Sequence, residues 1–201
     1  MAKLILPGSI SGREMKAVVA FTHKDSALGL FHTPFVYNGR LWATDSYRMV
    51  VIDWPQAEEL DTDKVYKIPE EALEKILVGY EYAISTTAEM PEIFNIKTHG
   101  SWKLEDTTER MSKRVIQLQE MLDAEIDCGT PEHPIAIAGV NPAFVSEACD
   151  IAKAVSCPTI TFGYSVPKNS KTMEIMRVKF IGGTKNADVI ICPKRVLGYD
   201  R

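Results

Sequence analysis

Apolar and polar positions change their period several times along this chain. Between Gly12 and His23, the residues Met15, Val18, Val19 and Thr22 recur at helical spacing while Arg13 and Lys16 fall off that stripe, which predicts a first helix. Phe35-Val36-Tyr37 and the run from Arg40-Leu41 flank Asn38-Gly39, a hairpin signal because both turn positions accept a positive φ. The second of these runs breaks at Thr44-Asp45-Ser46 and resumes at Val50-Val51-Ile52, so a tight turn is expected, with Asp and Ser side chains bonding their own backbone. Pro69 opens a second predicted helix reaching Leu77, with Glu70 and Glu71 in its first turn and Ala72, Leu73, Ile76 and Leu77 as its buried face. Asn141 and Pro142 start a third, whose apolar stripe is Phe144, Val145, Ala148, Ile151, Ala152 and Val155. Alternating segments at 82–86, 94–98, 101–104, 159–164 and 175–180 read as strands, with His99-Gly100 as a further turn.

This order suggests three related units, each a strand, a helix of about three turns and two or more further strands. The repeat lies in pattern and not in letters. The loop Asp127-Cys128-Gly129-Thr130-Pro131-Glu132-His133-Pro134 is the expected boundary, so that residues 1–125 hold two units and 126–201 the third. Half-buried antiparallel sheets with helices on one face produce such a pattern, and the fold class is α+β.

Composition narrows the function classes. With 201 residues, 45% of them apolar and 25% charged, the chain can bury a real core. No apolar run is long enough to cross a bilayer and no basic apolar leader is present, so a cytoplasmic location is expected. Cys128, Cys149, Cys157 and Cys192 are scattered without metal-ligand spacing and read as free core thiols. No metal or cofactor is expected. A net charge of −4 argues against a simple basic nucleic-acid binder. An enzyme is the rival class, but there is no Gly-rich phosphate loop, His-Glu-x-x-His or Gly-x-Ser-x-Gly elbow, and His23, His32, His99 and His133 lack an acidic or nucleophilic partner at a telling spacing.

The polar knot Ala43-Thr44-Asp45-Ser46-Tyr47-Arg48-Met49 resembles the Ala-Thr-Asp-Gly-His-Arg-Leu signature of bacterial DNA sliding clamps, the polymerase III beta subunits. Three further stretches are similar to clamp segments in the same order: Val65 to Leu77, Asn141 to Val145, and Asp188 to Val196 with its Cys-Pro-Lys-Arg-Val ending. The resemblance implies a clamp-like fold of half-domain repeats and a non-enzymatic role as a replication processivity factor. Cellular members close a ring of twelve half-domains from two chains, so a chain with three would need four copies. Shortened chains of this layout resemble those of bacteriophage and mobile elements. Between Glu105 and Pro134 the family's aromatic and Pro element is missing, and that segment reads equally well as a helix with Met111, Val115, Leu118 and Leu122 on one stripe.

Residue by residue, the resemblance carries the family's pocket for short apolar partner peptides of polymerases onto Thr44, Ser46, Tyr47, Arg48 and Met49, with Ile190, Ile191 and Cys192 from the terminal strand. Ser46 and Tyr47 stand where the family has smaller Gly and His, and Cys192 and Lys194 replace a Met pair, which removes adaptable apolar area. The plain alternative is a hairpin corner with Tyr47 packed on its own sheet and Arg48 paired to Asp45 or Glu58. Clamp helices line the hole, which implies Arg13, Lys16, Lys24, Lys75 and Lys153 as residues facing double-stranded DNA. Glu14, Glu70, Glu71, Glu74 and Glu147 share those helices, so only feeble, salt-sensitive, sequence-independent affinity is expected. A further reading is a monomeric decoy that occupies replication factors without encircling DNA.

Overall fold

The computed structural model describes residues 8–22, 31–86, 90–123, 140–165 and 175–192. In chain order the elements are β1 (Ile10–Ser11), α1 (Gly12–Val19), β2 (Phe35–Tyr37), β3 (Arg40–Thr44), β4 (Arg48–Asp53), β5 (Tyr66–Lys67), α2 (Glu70–Glu74) and β6 (Glu81–Ser85). There follow β7 (Glu92–Asn95), β8 (Ser101–Lys103), β9 (Glu105–Asp106), α3 (Thr108–Asp123), α4 (Pro142–Ala154), β10 (Thr159–Ser165), β11 (Ile175–Ile181) and β12 (Ala187–Ile191). Every strand pair is antiparallel, in a four-stranded sheet β1-β6-β7-β8 and an eight-stranded sheet β10-β11-β12-β4-β3-β2-β5-β9.

The first two units exchange strands. β1 pairs with β6 of the second unit (Ile10↔Tyr82), and β5 pairs with β2 of the first (Val36↔Tyr66), so neither unit completes its sheet alone. The third unit joins along β12–β4, with Val189 opposite Val50 and Ile190 opposite Met49, and α4 packs on α1. Lys185 adds a polar tie, its Nζ donating to the Ser9 carbonyl (2.6 Å) and the Glu14 carboxylate (3.1 Å) at the start of α1. The expected boundary loop at 127–134 lies outside the described residues.

Local chemistry explains the element ends. Ser11 caps α1 by accepting from Glu14 N (3.1 Å) while Glu14 accepts from Ser11 N (2.7 Å), a reciprocal box that satisfies two otherwise orphaned donors. Gly12 is needed because a Cβ there would lie 2.0 Å from the Leu77 carbonyl oxygen. Asn38 and Gly39 take φ of 48° and 69° in the β2–β3 turn, as the Asn-Gly pair predicts. Asn141 caps α4 by accepting from Ala143 N, with Pro142 at its first position.

The helices are less uniform than the pattern suggests: α1 has 8 residues, α2 has 5 and α4 has 13. Because α2 ends at Glu74, Leu77 leaves the helical stripe and is 49% exposed, against the expectation that it is buried; Ala72 and Ile76 remain in the core. The segment after Glu105 resolves in favour of a helix, α3, with Met111, Val115 and Leu122 buried and Leu118 half-buried.

The eight-stranded sheet is covered on both faces, not one. Side chains alternate across its strands. Leu41, Ala43, Val50, Ile52, Val189 and Ile191 join Met15 and Val18 of α1 and Ala148 and Ile151 of α4 in the larger core. Trp42, Met49, Val51 and Ile190 point the other way and meet Met111, Val115 and Leu122 of α3 in a second core. The continuous apolar run Met49 to Ile52 is therefore a strand buried on both sides.

Candidate functional site

The turn between β3 and β4 is built by its own side chains. Asp45 Oδ1 accepts from the amides of Tyr47 and Arg48, both at 3.0 Å. Thr44 Oγ1 donates to the Arg48 carbonyl (2.7 Å) and accepts from Ser46 N (3.1 Å), taking the part expected of the Ser side chain. Ser46 sits at φ 75°, a left-handed conformation that favours glycine. Holding the corner this way projects Tyr47 outward, 62% exposed and not packed on its sheet.

Arg48 is turned inward, only 7% exposed. Its Nε bonds Asp45 Oδ2 (2.9 Å), its Nη2 donates to the Ala20 carbonyl at the end of α1 (2.8 Å), and its Nη1 meets the Glu147 carboxylate of α4. The guanidinium lies 4.9 Å from the centroid of Phe21 and 4.6 Å from that of Phe144. One planar cation thus joins the turn, α1 and α4, with carboxylates for its fork and aromatic faces for its plane. Of the two partners expected for a plain hairpin corner, Asp45 is realised. Glu147 and Phe144, essential to this arrangement, carried no sequence signal beyond their helical periodicity.

The sequence's two distant matches meet in space. Ile191 lies opposite Arg48 and Ile190 opposite Met49, and Cys192 N donates to the Tyr47 carbonyl (2.8 Å). Thr44, Met49, Ile190 and Ile191 are all buried, so Ser46 and Tyr47 are the exposed members of the expected pocket. Cys192 is half-buried beside them, and burial, followed by the Asp45 charge, pushes its thiol pKa up. Met49 and Ile190 face α3.

α1 and α4 pack on each other, and Arg13 and Lys16 of the first and Lys153 of the second are exposed; Lys75, also exposed, lies at the end of α2, and Lys24 lies outside the described residues. Two of the acidic residues expected to weaken this layer's field are turned inward, Glu14 onto Lys185 and Glu147 onto Arg48. Lys153 is exposed, and its hydrogen bond from Nζ to Asp150 (2.9 Å) raises its pKa.

Cys149, Cys157 and Cys192 are free and half-buried, while Cys128 lies outside the described residues. His32 does have an acidic partner, which folding supplies from far along the chain: its Nε2 lies 2.9 Å from Glu70 Oε1. His99 occupies a hairpin turn at φ 59°, and His23 and His133 lie outside the described residues. Among the described residues no three His, Cys, Asp or Glu side chains are grouped to hold a metal ion, and no helix is long and apolar enough to cross a membrane.

No protein-family model matches the sequence, and no curated protein matches it. Among solved structures the chain is similar to DNA polymerase III subunit beta from Pseudomonas aeruginosa, with a TM-score of 0.52 at 13% identity, over 97% of this chain and 69% of that one. It is also similar to a DNA polymerase sliding clamp from Pseudomonas aeruginosa, with a TM-score of 0.49 at 15% identity, over 96% of this chain and 69% of that one. A third is A. fulgidus PCNA with the C-terminal region of FEN-1 bound, with a TM-score of 0.47 at 11% identity, over 92% of this chain and 97% of that one. The likeness to the beta subunit carries the architecture, and the chain has the fold of the DNA sliding clamps.

Proposed function

We propose that this chain is a non-enzymatic replication accessory protein that receives a short apolar peptide of a polymerase-type partner beside the β3–β4 turn and encircles DNA as a homo-oligomer. The observation that carries this reading is the juxtaposition of the Tyr47 turn with the end of β12, joined at Cys192 N to the Tyr47 carbonyl (2.8 Å), within a clamp fold. Tyr47 is the anchor: an exposed aromatic beside half-buried Cys192 is the kind of side chain on which peptide recognition concentrates. Arg48 acts by holding that turn on α1 and α4, so its part in recognition is indirect. On the DNA side, the layer of α1 and α4 presents Arg13, Lys16 and Lys153, and exposed Lys75 at the end of α2 is a separate contact, for loose, salt-sensitive binding to phosphates.

The test is capture of the replicative polymerase encoded in the same genome by the unchanged chain and by Tyr47→Ala. Capture reduced at least tenfold, with an unchanged melting curve, supports the site; equal capture by both removes it. A monomeric decoy would use the same turn, and the oligomeric state separates the two readings.

A further inference from the structure

α3 crosses the eight-stranded sheet from one side to the other. Its start is tied at Val65, the residue before β5, where Thr108 Oγ1 accepts from Val65 N (2.9 Å) and Thr107 donates its N and Oγ1 to the Val65 carbonyl (2.9 and 3.2 Å), and its last turn is tied at β11, where Arg177 Nη1 donates to the Leu122 carbonyl (2.7 Å). Those strands are five positions apart in the sheet order, about 24 Å at ~4.8 Å per strand. The 16 residues of α3 give a helix of about 24 Å. The helix therefore reaches across the face between its two ties. Beneath it lie Met49 and Ile190, two of the residues assigned to the partner peptide.

The contact has the character of a docked segment. Met111, Val115 and Leu122 close a small core separate from the larger one that α1 and α4 share, and the opposite side of the helix is exposed, including Ile116 at 51%. A layer held by one apolar stripe and by hydrogen bonds gathered at its two ends, to Val65 at the start and from Arg177 at the finish, can open without disturbing the sheet beneath it. The surface it would uncover is an apolar strip on a rigid sheet, shaped to take a helix with apolar residues at that spacing.

We propose that α3 is an exchangeable occupant of the partner-binding face: an amphipathic partner segment, with apolar residues at the four-three-four spacing of Met111, Val115, Leu118 and Leu122, takes its place over Met49 and Ile190. This rests on the reading that the turn and β12 receive a partner peptide. The covered state lowers a partner's apparent affinity by the fraction of time the face is open. The protein is thereby held in check by its own helix.

The probe is a fluorescein-labelled peptide of residues 108–123, titrated into the unchanged chain and into the full-length variant Val115→Asp/Leu122→Asp, whose own α3 cannot dock. Saturable binding to the variant, at least tenfold tighter than to the unchanged chain, is the expected result. No binding to a variant that keeps its cooperative melt overturns the proposal. Hydrogen exchange on the unchanged chain decides the matter if the variant fails to fold. The α3 amides are expected to exchange at least tenfold faster than those of β4 and β12, and equal protection overturns the proposal. Peptide exchange without any polymerase capture would remove the functional reading and leave this one. Capture through Tyr47 with α3 fully protected would do the reverse.

Discussion

Replacing Arg48 by Ala tests whether one buried cation holds three elements together. The guanidinium is 7% exposed and its carboxylate partners Asp45 and Glu147 are 15% and 29% exposed. Removing one member of a buried pair costs about 3–5 kcal/mol, chiefly because the remaining charges lose their partner. The partial access of Glu147 to water places this case toward the lower end, about 3 kcal/mol, with the contacts to Phe21 and Phe144 included. For a chain of this size each kcal/mol moves the melting temperature by about 2–4 °C, so Arg48→Ala should melt about 6–12 °C lower. Arg48→Lys keeps the charge and loses the fork, and should fall between. The assay is calorimetry on both variants, with Glu147→Gln added as a double-mutant cycle to isolate the α4 contact. A melting temperature for Arg48→Ala within about 2 °C of the unchanged chain would refute the reasoning.

Four further outcomes follow from geometry. Ser46→Gly relieves a left-handed backbone at φ 75° and should stabilise the fold by about 1 kcal/mol in urea denaturation, with a loss counting against the turn as described. Gly12→Ala would bring a Cβ within 2.0 Å of the Leu77 carbonyl oxygen, and should cost more than about 2 kcal/mol by the same measurement; a neutral result would mean that α1 can shift freely. Asp106 accepts from the Thr108 hydroxyl (2.7 Å) and amide (3.0 Å), which hold its carboxyl below the ordinary value. Its stabilisation of the α3 start is therefore full above the ordinary carboxylate range and is lost as pH falls through the lowered value, so the protection factors of the Thr108 to Met111 amides, exchange rates corrected for their intrinsic pH dependence, should fall with acid in the unchanged chain and lose that dependence in Asp106→Asn. Burial raises the Cys192 thiol pKa, so alkylation of Cys192 near neutral pH should be slower than that of a free cysteine, as read by peptide mass mapping.

Elements governed by neighbouring residues were legible in the sequence. Asn38-Gly39 and Asn141-Pro142 specify their turn and helix start chemically, while the stripe from Met111 to Leu122 offered a helix as one of two readings, the one that the structure adopts. What those elements pack against was not legible, because an amphipathic stripe states that one side is buried and is silent on the surface that buries it. Hence α3 appeared in the sequence as an isolated option and in the structure as the second cover of the large sheet. Leu77 failed for a related reason: its periodicity fits a helix that stops at Glu74. For the candidate site, the resemblance named both strands, and the β12–β4 register brings them together. The inward turn of Arg48 depends on Glu147 and Phe144, whose nearness is a product of folding.

The most direct test of the clamp account is the mass of the protein in solution, measured by light scattering over a wide concentration range with and without double-stranded DNA. The account predicts a closed multimer, four chains if the ring has twelve half-domains, that persists on dilution and is retained on DNA. A single-chain mass at every concentration, with DNA present or absent, would contradict it.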